Sequence, residues 1–266
     1  MRVALGIEYD GTGYVGWQRQ KSGTGIQEPV ETAVGAVAND VVEVTCAGRT
    51  DAGVHASGQV VHFDTSAERS DRGWLLGVNA NLPADINATW ACVVEDDFHA
   101  RFSALSRTYR YLILNRLVRS SLFRHRAWWQ HEPLDESAMQ AGGDLLLGEH
   151  DFSAFRAAGC QAATAIREIT ALRVERRGHW IQITITANAF LQHMVRNIAG
   201  TLAAIGRGDQ SPGWARQLLD GADRTKGGVA APAHGLTLLD VRYPDRYGVP
   251  RRNGDSPGIN VYDSGL

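Results

Sequence analysis

The residues best placed to do chemistry fall in one run, Gly48-Arg49-Thr50-Asp51-Ala52-Gly53-Val54-His55-Ala56. An aspartate follows an arginine by two positions, with a glycine on either side, between two strand-like stretches. Glycine lets the backbone turn tightly and project the side chains between outward. A carboxylate held beside a guanidinium stays ionised, the state a nucleophile or general base requires. Spacing alone favours a plainer reading, a structural Arg49–Asp51 pair that pins the turn.

Two neighbouring patterns invite other chemistry. Gly11-Thr12-Gly13-Tyr14-Val15-Gly16 fits G-x-G-x-x-G after a strand. That fingerprint needs a helix opening at its last glycine to hold a pyrophosphate. Here Trp17 to Gly25 follows with two more glycines and no apolar periodicity, so no nucleotide cofactor is expected. Asp51, His55, His62 and Asp64 gather acids and imidazoles within fifteen residues. They match no H-E-x-x-H or Cys/His spacing, so no metal is expected either.

The elements that must position Asp51 can be read from apolar periodicity. Val3 to Tyr9 alternates as an opening strand, and 27–38 is a helix with Val30, Ala33, Val34 and Val37 on one face. Strands are expected over 41–46 and 59–63, a helix capped by Asp71 to about residue 78, and a strand over 89–95. The clearest strand, 108–114, turns Tyr109, Tyr111 and Ile113 one way. Beyond it come a helix over 134–147 that Gly142-Gly143 weakens, and a hairpin of 166–176 and 179–187 around Arg177-Gly178. A helix over 189–205, a short one from Pro212 to about 219, and a strand over 236–241 complete the pattern. Hairpins mixed with helices, without regular βαβ alternation, give an α+β class. Two α+β halves with mainly antiparallel sheets are expected, 1–105 and 106–243, before a tail over 244–266 that is at least partly flexible.

The chain has 266 residues, 44% hydrophobic and 21% charged, a globular balance that excludes a mainly disordered chain. It has no apolar run of the roughly 18–20 residues that a membrane span needs, and Glu8 arrives too soon for a signal-peptide core. Cys46, Cys92 and Cys160 form no C-x-x-C pair, which favours a reducing cytoplasm. The net charge of −2 argues against nucleic acid, yet all but Lys21 and Lys226 of the 27 basic residues are arginines. Seven of these (101, 107, 110, 116, 119, 124 and 126) lie in 101–126, a segment without one Asp or Glu. Such clustering makes a local positive field whatever the total charge. A solvated face remains the commoner meaning of a charge run.

The GRTDAGVHA run, with Gln59-Val-Val-His-Phe63, resembles the TruA family of tRNA pseudouridine synthases. Ile7-Glu-Tyr-Asp-Gly-Thr12, Gly16-Trp-Gln-Arg-Gln20, Asp97-Phe-His-Ala-Arg-Phe-Ser103 and Arg107-Thr-Tyr-Arg-Tyr111 match family segments in order. So do His150-Asp-Phe-Ser-Ala-Phe155, the segment from Ala187 to Ile198, and Ala231-Pro-Ala-His-Gly-Leu236. The resemblance spans residues 3 to about 250 and leaves 251–266 unmatched.

The resemblance implies a pseudouridine synthase fold with a central positively charged cleft. It implies isomerisation of uridine to pseudouridine at positions 38, 39 and 40 of the tRNA anticodon stem-loop, without cofactor. Asp51 matches the family's catalytic aspartate, Arg49 the loop arginine that enters the stem as the uridine flips out, and Arg196 the carboxylate's basic partner. Tyr109 matches the tyrosine that stacks on uracil, and Leu236 an apolar wall of its pocket. Arg19, Arg101, Arg107 and Arg110 become candidates for tRNA phosphates, and the family is a homodimer. Read without the family, Arg49 supports Asp51, Tyr109 is a core tyrosine, Arg196 a solvated surface arginine and Leu236 ordinary strand packing. A non-catalytic RNA-binding or tRNA-folding protein on the same scaffold is the alternative function. A metal-dependent hydrolase using His55 and His62 is a third.

Overall fold

The computed structural model describes residues 1–250. Their contacts divide into two compact units, Met1–Arg107 with residues 238–250, and Thr108–Thr237. The chain leaves the first unit inside one strand, β5 (Ser106–Asn115), and returns inside another, β10 (Leu236–Arg242).

The first unit holds β1 (Arg2–Tyr9), α1 (Gln27–Ala38), β2 (Thr45–Cys46), β3 (His55–Asp64), α2 (Asp71–Asn81) and β4 (Ile86–Val94). Its strands run in the order β4-β1-β3-β10, with β2 beside β3. β1 pairs antiparallel with β3 and with β4. Helix α2 packs on α1 and on β4, and Trp74 meets Phe63 edge to face at 5.2 Å. Ser70, not Asp71, caps α2, because its hydroxyl accepts from the Gly73 amide. Only Thr45 and Cys46 of the strand expected over 41–46 pair with β3. Val41 is 98% exposed, and the Val44 amide donates to the Glu31 side chain instead of a neighbouring strand.

The second unit holds most of β5, then β6 (Trp128–Gln130), α3 (Glu136–Asp144), β7 (Gly148–Asp151), β8 (Ile166–Arg177), β9 (Trp180–Ala187), α4 (Met194–Gly206) and α5 (Trp214–Gly221). Its strands run in the order β5-β9-β8-β7, and β6 lies parallel to β5. β8 and β9 form the expected antiparallel hairpin, turning at Gly178 with φ +57°. The glycine pair in α3 faces the core. A Cβ on Gly143 would stand 2.4 Å from Leu172, so the pair permits close packing on β8 at some cost in helix propensity.

Helix α4 begins at Met194, five residues after the start expected from its apolar stripe. His193 has φ +63°, a left-handed conformation that no α-helix continues through. Helix α3 starts at Glu136 because the Asp135 carboxylate accepts from the amides of Ser137 and Ala138. Within the segment read as a tail, residues 245–247 form a 3-10 turn with Tyr247 buried against Phe98. Its remainder, 251–266, lies outside the described residues. No helix among them is long and apolar enough to cross a membrane.

His62 ties β3 to the segment that follows β4, its Nδ1 accepting from the Ala100 amide at 3.1 Å. Burial pushes the imidazole down to about 4, helped by the positive charge of Arg2 and by His99. An unfolded histidine titrates near 6.5, so the unfolded chain binds the extra proton between pH 6.5 and 4. His62 therefore contributes full stability above pH 6.5, and that contribution is lost as pH falls toward 4. We expect the melting temperature of the wild type to drop across that window relative to His62→Asn, which keeps an acceptor but cannot titrate. Parallel melting curves would disprove it.

Candidate active site

The Asp51 loop is held from beneath by buried polar groups and from the side by the first glycine-rich run. Gln59, fully buried on β3, donates to the Gly48 carbonyl at 2.7 Å. Tyr9, at the end of β1, shares a 2.8 Å hydrogen bond with the Thr50 hydroxyl. The Trp17 amide donates to the Thr50 carbonyl at 3.0 Å, and Gly16 and Asp51 form an antiparallel β-bridge. Gly16 has φ +107°, and a Cβ there would lie 2.7 Å from the Thr50 carbonyl oxygen. Gly11 is pressed as closely on Val54, and its amide donates to His55 Nδ1 at 3.1 Å.

These contacts assign a role to the G-x-G-x-x-G pattern. Gly11 and Gly16 let a second backbone lie against the Asp51 loop, and the next α-helix opens only at Gln27 rather than at Gly16. Nor do the histidines converge. His55 Nδ1 lies 3.1 Å from Asp10, whereas His62 serves Ala100 and Asp64 pairs with Arg2 at 2.7 Å. Among the described residues no three His, Cys, Asp or Glu side chains group as a metal site.

Asp51 itself is half-buried, Thr50 buried and Arg49 exposed. Burial pushes the Cys46 thiol up to about 12, and the charges of Arg49 and Arg101 both oppose that rise. Two cations thus reach the same flank of the first unit. Arg101 is exposed, whereas Arg107 is half-buried and donates to the carbonyls of Arg101, Ala104 and Ala47 at 2.6, 3.3 and 3.1 Å. Arg107 therefore ties the chain at Arg101 and Ala104 to the Ala47 backbone. Arg19 is exposed and pairs with Glu31 at 2.7 Å.

The second unit fixes the other expected residues. Tyr109 is buried, with its ring edge-on to Phe190 at 5.0 Å, and Arg110 is half-buried beside it on β5. Arg196 is no solvated surface arginine. Its Nε donates to the Ala231 carbonyl at 2.8 Å, and the Ala231 amide returns a bond to the Arg196 carbonyl at 3.0 Å. This two-way clamp holds the 231–236 segment on α4, and the Tyr111 hydroxyl donates to Pro232 at 2.7 Å. Burial drives the Tyr111 phenol well up, against the nearby charge of Arg196. Leu236, 6% exposed, opens β10 just beyond this clamp. Sequence reasoning overlooked the supports Tyr9, Thr50 and Gln59, although all three stand in segments that matched the family.

A family model described as tRNA pseudouridine synthase matches residues 6–103 and 144–244. The tRNA pseudouridine synthase A of Coxiella burnetii (strain Dugway 5J108-111) is 54% identical over 250 residues, 94% of this chain and 96% of that protein. That of Vibrio campbellii is 53% identical over 251 residues, with 94% and 95% covered. That of Vibrio vulnificus (strain YJ016) is 52% identical over 253 residues, with 95% and 96% covered.

Two variants probe the loop's support. Gly16→Ala should cost about 1–3 kcal/mol through its left-handed backbone and shift the amide resonances of Thr50 and Asp51. Calorimetry and nitrogen-15 spectra check both, and an unperturbed loop would show that the bridge is incidental. Arg107→Gln should lower stability by about 1–3 kcal/mol even without RNA, because three carbonyls lose a charged donor. An unchanged melt would return Arg107 to the role of a phosphate contact alone.

Proposed function

The chain belongs to the tRNA pseudouridine synthase family, and from that premise we propose that it isomerises uridine to pseudouridine at positions 38, 39 and 40 of the tRNA anticodon stem-loop. The N1–C1′ bond breaks, the uracil turns, C5 bonds to C1′, and the C5 proton leaves as N1 gains one. Atoms and electrons balance within one nucleotide, so the reaction calls for neither a redox carrier nor an energy donor.

The observation that carries this reading is the Gly16–Asp51 bridge with the Tyr9–Thr50 bond beneath it. A group that must meet one atom of a flipped nucleotide gains from a backbone fixed before substrate arrives. Asp51 acts as the nucleophile or base. Arg49, exposed two residues away, fills the stem where the uridine was and offsets part of the few kcal/mol that flipping costs. Tyr109 stacks on the uracil, Leu236 walls its apolar side, and Arg196, oriented through Ala231, is the basic partner of the carboxylate. Arg19, Arg101 and Arg110 meet phosphates, which position the RNA rather than specify its sequence. Arg107 acts through Arg101, whose carbonyl it holds. The enzyme works in the cytoplasm as a homodimer that binds tRNA across both subunits.

Tritium release from tRNA labelled at uridine C5, measured in EDTA without added nucleotide, tests this directly. Wild-type protein should release label from anticodon-stem uridines. Asp51→Asn should release it at least about 100-fold more slowly while still binding tRNA. Loss of binding along with activity would make Asp51 structural. Wild-type protein that binds tRNA but releases no label would point to a binding module.

A further inference from the structure

Phe102 is a large apolar side chain that the fold does not bury. It is 75% exposed on the first unit, and Leu105 beside it is 59% exposed. The ring is nevertheless held. His99 lies against it at 4.3 Å between centroids with the planes 35° apart, and the Arg101 guanidinium stands over it 5.5 Å from the centroid. The His99 ring is fixed in turn, because its Nδ1 accepts from the amides of both Arg101 and Phe102 at 3.1 and 3.2 Å. His62 backs it at 4.9 Å, and Arg107 grips the Arg101 and Ala104 carbonyls on either side. Together these contacts hold one largely exposed aromatic ring with a cation over it.

We propose that Phe102 is a stacking platform for one unstacked nucleobase of the RNA substrate, with Arg101 contacting its phosphate. This rests on the tRNA reading above and adds a base contact separate from the uracil site. Aromatic rings stack on bases without regard to sequence, and neighbouring arginines add cation–π and phosphate contacts. RNA is commonly read through bases splayed from loops and ends onto such rings. The charge fits a polyanion: residues 98–105 contain an arginine and no acid, and the closest preceding acid in sequence, Asp97, is paired with Arg246 at 2.9 Å. A ring already fixed by His99 loses little freedom on binding.

The test compares Phe102→Leu, Phe102→Trp and Arg101→Gln for binding to an unmodified tRNA transcript across a salt series. Phe102→Leu keeps an apolar side chain but removes the π face, and affinity should fall roughly tenfold with an unchanged salt slope. Phe102→Trp should bind at least as well as wild type. Arg101→Gln should flatten the slope of log K against log salt by about 0.7–0.9, the loss of one phosphate contact. Leucine binding as well as phenylalanine would overturn the platform. So would a Phe102→Leu variant that sediments as a smaller species than wild type without RNA, which would make the ring a protein interface. Wild-type protein that fails to bind tRNA would instead sink the tRNA reading itself.

Discussion

The structure of the first unit depends on one steric constraint, the contact of two backbones at Gly11–Gly16 and Thr50–Val54. A Cβ on Gly11 would lie 2.0 Å from the Val54 oxygen, and one on Gly16 would lie 2.7 Å from the Thr50 oxygen. No side chain fits between, so the chain passing under the Asp51 loop has backbone alone to offer. That closeness lets the Trp17 amide, the Gly16 bridge and the Gly11 amide engage the loop in sequence. Buried Tyr9, Thr50 and Gln59 then take up the polar groups that the approach removes from water, as buried polar groups require. A surface loop is thereby anchored to the core through Thr50 while Arg49 stays exposed and Asp51 half-buried.

The second unit uses the same device around α4. Gly200 meets the Val229 backbone so closely that a Cβ would lie 1.9 Å from its oxygen, and the Arg196–Ala231 clamp follows on the same segment. Asn197, buried one residue on, donates to the Phe155 carbonyl and accepts from Arg224. The helix is thus anchored by polar bonds to three different segments. Its late start has the same logic. Residues 188–193 are occupied by other bonds, with Asn188 accepting from Glu168 and Ala189 and His193 turning left-handed.

Legibility in the sequence followed the range of the forces involved. Helix α1 was readable to the residue, because its apolar face recurs at helical spacing. The β8–β9 hairpin was readable because Gly178 supplies the turn locally. Short strands were not. β6 and β7 have three and four residues, and β6 forms only because β5 lies beside it in parallel. The candidate site divided in the same way. Asp51 and its glycines stood out as a local run, and the family resemblance supplied Tyr109, Arg196 and Leu236. Thr50 and Gln59 gave no local sign, because their partners lie 41 and 11 residues away.

Arginine content is the case where composition misleads most, and the structure gives the reason. An arginine is a phosphate ligand in water and a carbonyl ligand when half-buried, and the sequence does not separate the two. Arg2 spans Asp64 and the carbonyls of Asp96 and Phe98. Arg176 bridges Glu136, Asn115 and Leu134, and Arg107 holds three carbonyls. Each satisfies several acceptors at once, which a lysine's compact ammonium does less well. These arginines are structural in a chain of net charge −2. The fold leaves other guanidiniums exposed, Arg49 and Arg101 among them. A nearly neutral protein can therefore leave a few exposed cations to a polyanion while several half-buried arginines donate to backbone carbonyls within the fold.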